Sequence, residues 1–201
     1  MSAFPLAYLV RHGETAWSLS GQHTGRADIP LTPAGEQAAL GLRPRLAAVS
    51  VAAIWSSPSQ RARRTGELAG FGDRVEVKPD LAEWDYGDYE GLTTREICAE
   101  RGDWRLFRDG CPGGETASEM AARVDRAIAE VRALDANVLI FSSSHVMRVL
   151  AARWLGLPPE RGASFVLETA SISVLGYEHD LTEPVIRRWN VAGDAIEEAS
   201  R

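Results

Sequence analysis

Leu9-Val10-Arg11-His12-Gly13-Glu14-Thr15 follows the apolar stretch Pro5-Leu6-Ala7-Tyr8. A short apolar run ending in a turn reads as a buried strand, and the C-terminal edge of this one delivers an Arg-His pair. That edge is where open α/β sheets place their sites. Gly13 is expected to turn the backbone sharply and to leave room for a ligand to approach. A fixed guanidinium beside an imidazole suits attack on a phosphate ester. Arginine holds the oxyanions in a bidentate fork, and a neutral ring nitrogen can serve as nucleophile.

Outward from this stretch, strand and helix signals alternate. Thr32-Pro33 starts a helix, with Thr32 as cap, and Ala39, Leu42, Leu46 and Val49 share one of its faces. Ala52 to Trp55 reads as a second strand. It ends in Ser57-Pro58-Ser59-Gln60, a capping-box pattern opening a helix that carries Arg61, Arg63 and Arg64. Val75 to Lys78 alternates as a short strand, and Thr93-Thr94-Arg95-Glu96 opens a short helix within the Trp-, Asp- and Gly-rich section Pro79 to Gly114. Thr116-Ala117-Ser118-Glu119 opens a longer helix striped by Met120, Val124, Ile128 and Val131. Val138 to Phe141 is a strongly apolar strand that exits through Ser142-Ser143-Ser144-His145 into a helix stopping at Gly156. Ile172 to Gly176 and Val185 to Trp189 read as final strands. This alternation implies a three-layer α/β/α sandwich around a mostly parallel sheet. One domain spans 1–201, with 192–201 expected as a loose tail.

Hydrophobic content of 45% and charged content of 25% are ordinary for a globular protein. A net charge of −6 argues against nucleic acid or an acidic membrane surface as partner, so a phosphate site here must be a local concentration of arginine. Two cysteines, Cys98 and Cys111, cannot build a disulfide framework and suit a reducing cytoplasm. Neither a leader segment nor a bilayer-spanning run is expected. The four histidines show no ligand spacing, so no metal and no cofactor are expected.

Arg11-His12-Gly13-Glu14-Thr15 resembles the signature of the histidine phosphatase (phosphoglycerate mutase-like) superfamily, phosphatase branch. The resemblance covers nearly the whole chain and implies the same phosphoglycerate mutase-like fold. It implies His12 as the nucleophile of a phosphohistidine intermediate. The other ring nitrogen must then be held by a hydrogen bond, and a backbone carbonyl near Gly13 would serve. Arg11 and Arg61 are implied as phosphate clamps, the latter from Ser57-Pro58-Ser59-Gln60-Arg61-Ala62, which is similar to the family's second motif. Arg63 and Arg64 read as solvated surface. Ser18, Thr24 and Gly25 fall where the family contacts substrate, and many members carry Asn at the position of Ser18. His23, in the same loop, taken alone reads as a surface histidine. Glu83 is the implied proton donor. A carboxyl beside Trp84 and a bound dianion is expected to hold its proton more readily. Asp85 and Asp88 are competitors for that role. Leu106, Phe107, Trp104 and Trp84 could line an entrance for an apolar leaving group or belong to the core.

The chain departs from the family at its last motif, normally a second histidine at the exit of a late strand. Position by position, Ser143 stands where that histidine belongs and Ser144 where a glycine belongs, with His145 at a later position. A serine can donate one neutral hydrogen bond and carries no positive charge. The chain is therefore expected to be a slow phosphatase, to recruit His145 through a local loop shift, or to bind phosphate esters with little turnover. The reading is a metal-independent, acid phosphatase-like phosphomonoesterase acting on a small phosphorylated metabolite through His12 and Glu83. Ser143, Ser144 and His145 join Arg11, Ser18, Thr24, Gly25 and Arg61 as substrate-binding residues. A phosphoglycerate mutase and a phospho-ligand-binding pseudophosphatase are the alternatives. The short stretch between Glu83 and Pro112 favours hydrolysis over transfer, because water can enter between half-reactions. A homodimer is expected on the resemblance alone.

Overall fold

The computed structural model describes residues 4–193 of the chain, so the tail read for 192–201 lies almost wholly outside the described residues. Six strands, β1 (Ala7–Arg11), β2 (Ala53–Ser56), β3 (Glu76–Val77), β4 (Val138–Ser142), β5 (Ile172–Tyr177) and β6 (Pro184–Val191), form one sheet in the order β3-β2-β4-β1-β5-β6. The first four run parallel; β5 is antiparallel to β1, and β6 to β5. The helices are α1 (Ala16–Ser20), α2 (Pro33–Leu40), α3 (Leu42–Leu46), α4 (Gln60–Leu68), α5 (Thr94–Arg101), α6 (Leu106–Asp109), α7 (Ala117–Ala133) and α8 (Ser144–Trp154). None of them is long and apolar enough to cross a membrane.

β1 is apolar on both faces because it sits mid-sheet with a layer of helices on each side. Leu6, Tyr8 and Val10 pack with Ile54, Leu139 and Phe141 beneath Leu42, Leu46 and Ala62 of α3 and α4. Ala7 and Leu9 face the opposite layer, where Met120, Val124 and Ile128 of α7 meet Val146, Val149 and Leu150 of α8. The expected three-layer α/β/α sandwich is the observed fold.

Two local readings are corrected. The helix begun at Thr32 does not run unbroken to Val49; it stops at Gly41 and restarts as α3. Pro44 has no N–H to give to the carbonyl of Leu40, so the ladder breaks there. The capping box expected at Ser57–Gln60 does not form. Ser59 makes no side-chain cap bond, and its hydroxyl lies 2.9 Å from that of Ser57. Asp28, from a distant loop, caps α4 instead, accepting from Gln60 N at 2.7 Å. The capping boxes Thr93/Glu96 and Thr116/Glu119 both form.

Parallel pairing of β1 with β4 sets Arg11 opposite Ser142, and His12 N donates to Ser142 O at 2.9 Å. The turn after β1 and the start of α8 therefore lie side by side at one edge of the sheet.

Candidate active site

His12 leaves β1 into a turn and is 5% exposed. Its Nδ1 lies 2.7 Å from Gly13 O, an acceptor, so Nδ1 carries the proton and donates, leaving Nε2 with a free lone pair. The backbone carbonyl anticipated near Gly13 is thus the observed partner. Burial, reinforced by the positive charges of Arg11 and Arg61, holds the imidazole well below its ordinary pKa. At neutral pH the ring is uncharged. Gly13 serves backbone packing rather than ligand approach. A Cβ there would lie 2.4 Å from Gly35 O, and Gly13 N donates to Thr65 Oγ1 at 3.0 Å.

Arg11 donates through Nη1 to Leu167 O. Arg61, 1% exposed in the first turn of α4, gives Nη1 to Ala27 O at 3.0 Å and Nη2 to Thr24 O at 3.0 Å. Burial lowers the pKa of each guanidinium. Each also keeps a buried Nε–H without an acceptor among the described residues. The loop held by Arg61 is fixed from its other side by Glu90, whose Oε1 accepts from Gly25 N at 2.8 Å and Ala27 N at 3.1 Å. A Cβ on Gly25 would lie 2.4 Å from Trp84 O, so this position requires glycine for close packing.

The carboxylate of Glu83 accepts at Oε1 from Trp84 N and Val146 N, both at 2.9 Å, and at Oε2 from His145 N at 3.0 Å. Glu83 thereby caps the N-terminus of α8, and in this arrangement both of its oxygens act as acceptors. Asp85 is tied to Arg26 and Gly87 N, and Asp88 lies against Gly113; neither lines the cleft that holds His12.

That cleft has a volume of about 350 Å³ and brings together Arg11, His12, Ser18, Thr24, Glu83, Ser144 and His145. Arg61 and Ser143, each 1% exposed, lie behind its wall, and Gly25 borders a neighbouring cavity on the other side of Glu83. Ser143 is the N-cap of α8 but makes no cap bond; its Oγ accepts only from Arg61 Nη2, at 3.5 Å. The hydroxyl of Ser18 is occupied within α1, accepting from Thr15 N at 2.8 Å and donating to Thr15 O at 3.0 Å. α1 is an element beyond those expected, and its signal in the sequence is the Thr15-x-x-Ser18 capping pattern.

His23 is a correction. It is 9% exposed, packed against Tyr86 (ring centroids 4.7 Å apart) and Trp104 (5.6 Å), and burial lowers its pKa to about 4. Trp84 is fully buried core. Trp104, Leu106 and Phe107 line a second cavity of about 440 Å³ that shares His23, Thr94, His145 and Arg148 with the cleft. Arg148 and Tyr86 were not anticipated as cleft residues. The signal for Arg148 is its place one helical turn beyond His145 on the same face of α8.

The cleft thus offers a neutral, buried imidazole within the field of two guanidinium charges, with a carboxylate beside it, an arrangement chemically suited to an oxyanion. Residues 7–192 match the family model of the histidine phosphatase superfamily (branch 1), and the chain belongs to that superfamily. It is similar to the acid phosphatase of Mycobacterium tuberculosis, with 39% identity over 179 residues, covering 87% of this chain and 88% of that protein. It is also similar to sedoheptulose 1,7-bisphosphatase of Saccharomyces cerevisiae, with 35% identity over 218 residues, covering 92% of this chain and 79% of that protein. A solved structure of a Mycobacterium tuberculosis open reading frame matches with a TM-score of 0.89 at 36% identity, covering 94% of this chain and 99% of that one. Family and relatives together make the chain a phosphoric monoester hydrolase.

Proposed function

We propose that the protein hydrolyses small phosphomonoesters through a phosphohistidine at His12, without a metal, at a rate reduced by the serine at position 143. The observation that carries this reading is the His12 tautomer: Nδ1–H is committed to Gly13 O, so Nε2 holds the lone pair. Nε2 attacks phosphorus and the ester P–O bond breaks. The departing alkoxide takes its proton from Glu83. Water then attacks phosphorus and gives a proton to Glu83, the P–N bond breaks with its electron pair returning to His12 Nε2, and inorganic phosphate leaves. Arg11 and Arg61 balance the charge of the non-bridging oxygens.

Ser143 meets only Arg61, at the limit of hydrogen-bond distance. Losing one preorganised electrostatic donor typically lowers a rate by about 10²–10³. That long contact also favours the second reading, a protein that retains phosphate esters and cleaves few. Hydrolysis of p-nitrophenyl phosphate from pH 4 to 8 with EDTA separates the two when combined with acid-stable and base-stable phosphoprotein analysis. Turnover by the parent, none by His12→Ala and an acid-labile phosphoenzyme support the phosphatase. Turnover that persists in His12→Ala would refute the assignment of the nucleophile. Tight binding of vanadate without any turnover would leave the pseudophosphatase.

A further inference from the structure

We infer that Tyr86 and His145 form a fixed hydrogen-bond donor for the phosphate ester in the cleft, with Tyr86 positioning His145 so that its Nε2–H contacts the substrate. This rests on the phosphatase reading above. Tyr86 is 2% exposed, and its hydroxyl oxygen lies 2.6 Å from His145 Nδ1, its one hydrogen-bond partner among the described residues. A buried phenol that did not donate there would leave its O–H unsatisfied, which is the more costly arrangement. The hydroxyl therefore donates and Nδ1 accepts. The carboxylate of Glu83 does not compete for Nδ1, since Oε2 is 3.8 Å away, beyond hydrogen-bond distance.

Burial, reinforced by the charge of Arg148, keeps the His145 ring neutral, and burial keeps Tyr86 a phenol. A neutral ring that accepts at Nδ1 carries its proton on Nε2. That nitrogen has no partner among the described residues and is not buried, and His145 lines the cleft that also holds His12. The ring is held in place by Phe107 (centroids 5.5 Å apart) and His23 (6.2 Å), while its backbone N–H is held by Glu83. No loop shift is required: His145 already lines the cleft beside Ser144. A neutral N–H supplies less than an imidazolium would, so it offsets part of what Ser143 lacks.

The test is made on the full chain, with phenylphosphonate as a non-hydrolysable probe. Long-range ¹H–¹⁵N spectra of the histidine rings are expected to show His145 protonated at Nε2, and the probe is expected to shift that nitrogen together with His12. Tyr86→Phe should release the tautomer into a mixture. His145→Phe keeps the ring packing without the donor and should weaken probe binding by about 10-fold, the scale of one net hydrogen bond. His145→Gln, which restores an N–H, should recover part of that loss. An Nδ1–H tautomer, unchanged affinity in His145→Phe, or a probe that moves His12 and leaves His145 unmoved would each overturn the proposal while the phosphatase reading stands. A probe that moves neither ring would remove the phosphoryl site itself, and the proposal with it.

Discussion

Replacing His23 by phenylalanine should make the fold less sensitive to acid. Burial lowers the pKa of His23 from 6.5 to about 4 in the folded protein. The unfolded chain therefore binds a proton that the native state refuses between those two values, and stability falls as the pH drops through that window. The full shift corresponds to roughly 3 kcal/mol at 1.36 kcal/mol per pKa unit. At pH 5 about 2 kcal/mol of it has already been lost, and at pH 7 almost none. Phenylalanine fits the site, because the ring packs against Tyr86 and Trp104 and gives up only the 3.3 Å contact to Thr94 Oγ1. That contact is worth at most about 1 kcal/mol at any pH. Urea unfolding of parent and variant at pH 7 and pH 5 measures the difference. His12 and His145 are also buried with lowered pKa values, but they act in both proteins and cancel in the comparison. If both proteins lose the same stability on going to pH 5, His23 is not the buried neutral group described here.

Installing Ser143→His together with Ser144→Gly should raise p-nitrophenyl phosphate turnover by about 10²–10³, since it restores a donor beside Arg61; an unchanged kcat would mean that the serine does not limit the rate. Gly13→Ala should destabilise by about 1–3 kcal/mol in urea titrations through overpacking. Its Cβ would meet Gly35 O at 2.4 Å, so the carbonyl that fixes the His12 tautomer must move and kcat should fall as well. Asp28→Ala should cost about 1 kcal/mol of stability by removing the cap accepting from Gln60 N. It should also raise KM, because Arg61 lies in that first turn.

The sequence by itself determined the layers and the strand edge of the site. β1 and β4 are apolar at consecutive positions, and only a strand covered on both faces has that pattern. Arg11 and His12 stood out because a cation beside an imidazole at a strand end suits phosphoryl chemistry, Glu83 stood out through the family resemblance, and the fold brings all three to one cleft. Capping at Thr32, Thr93 and Thr116 was legible because each cap, a lone side-chain cap at Thr32 and a capping box at the other two, closes within four residues. Contacts between distant segments were decided only by the tertiary structure. Asp28 replaces a local cap on α4 from 32 residues away, and Glu90 fixes the loop that Arg61 grips from the other side. His23 changes from an apparent surface residue to a buried one because Tyr86 and Trp104 fold over it. Glu83 also caps α8 from a distant segment, and the Tyr86 hydroxyl meets His145 Nδ1 across the cleft. Hydrogen-bond direction and burial depend on which side chains meet across the fold, and local sequence patterns do not encode such long-range meetings.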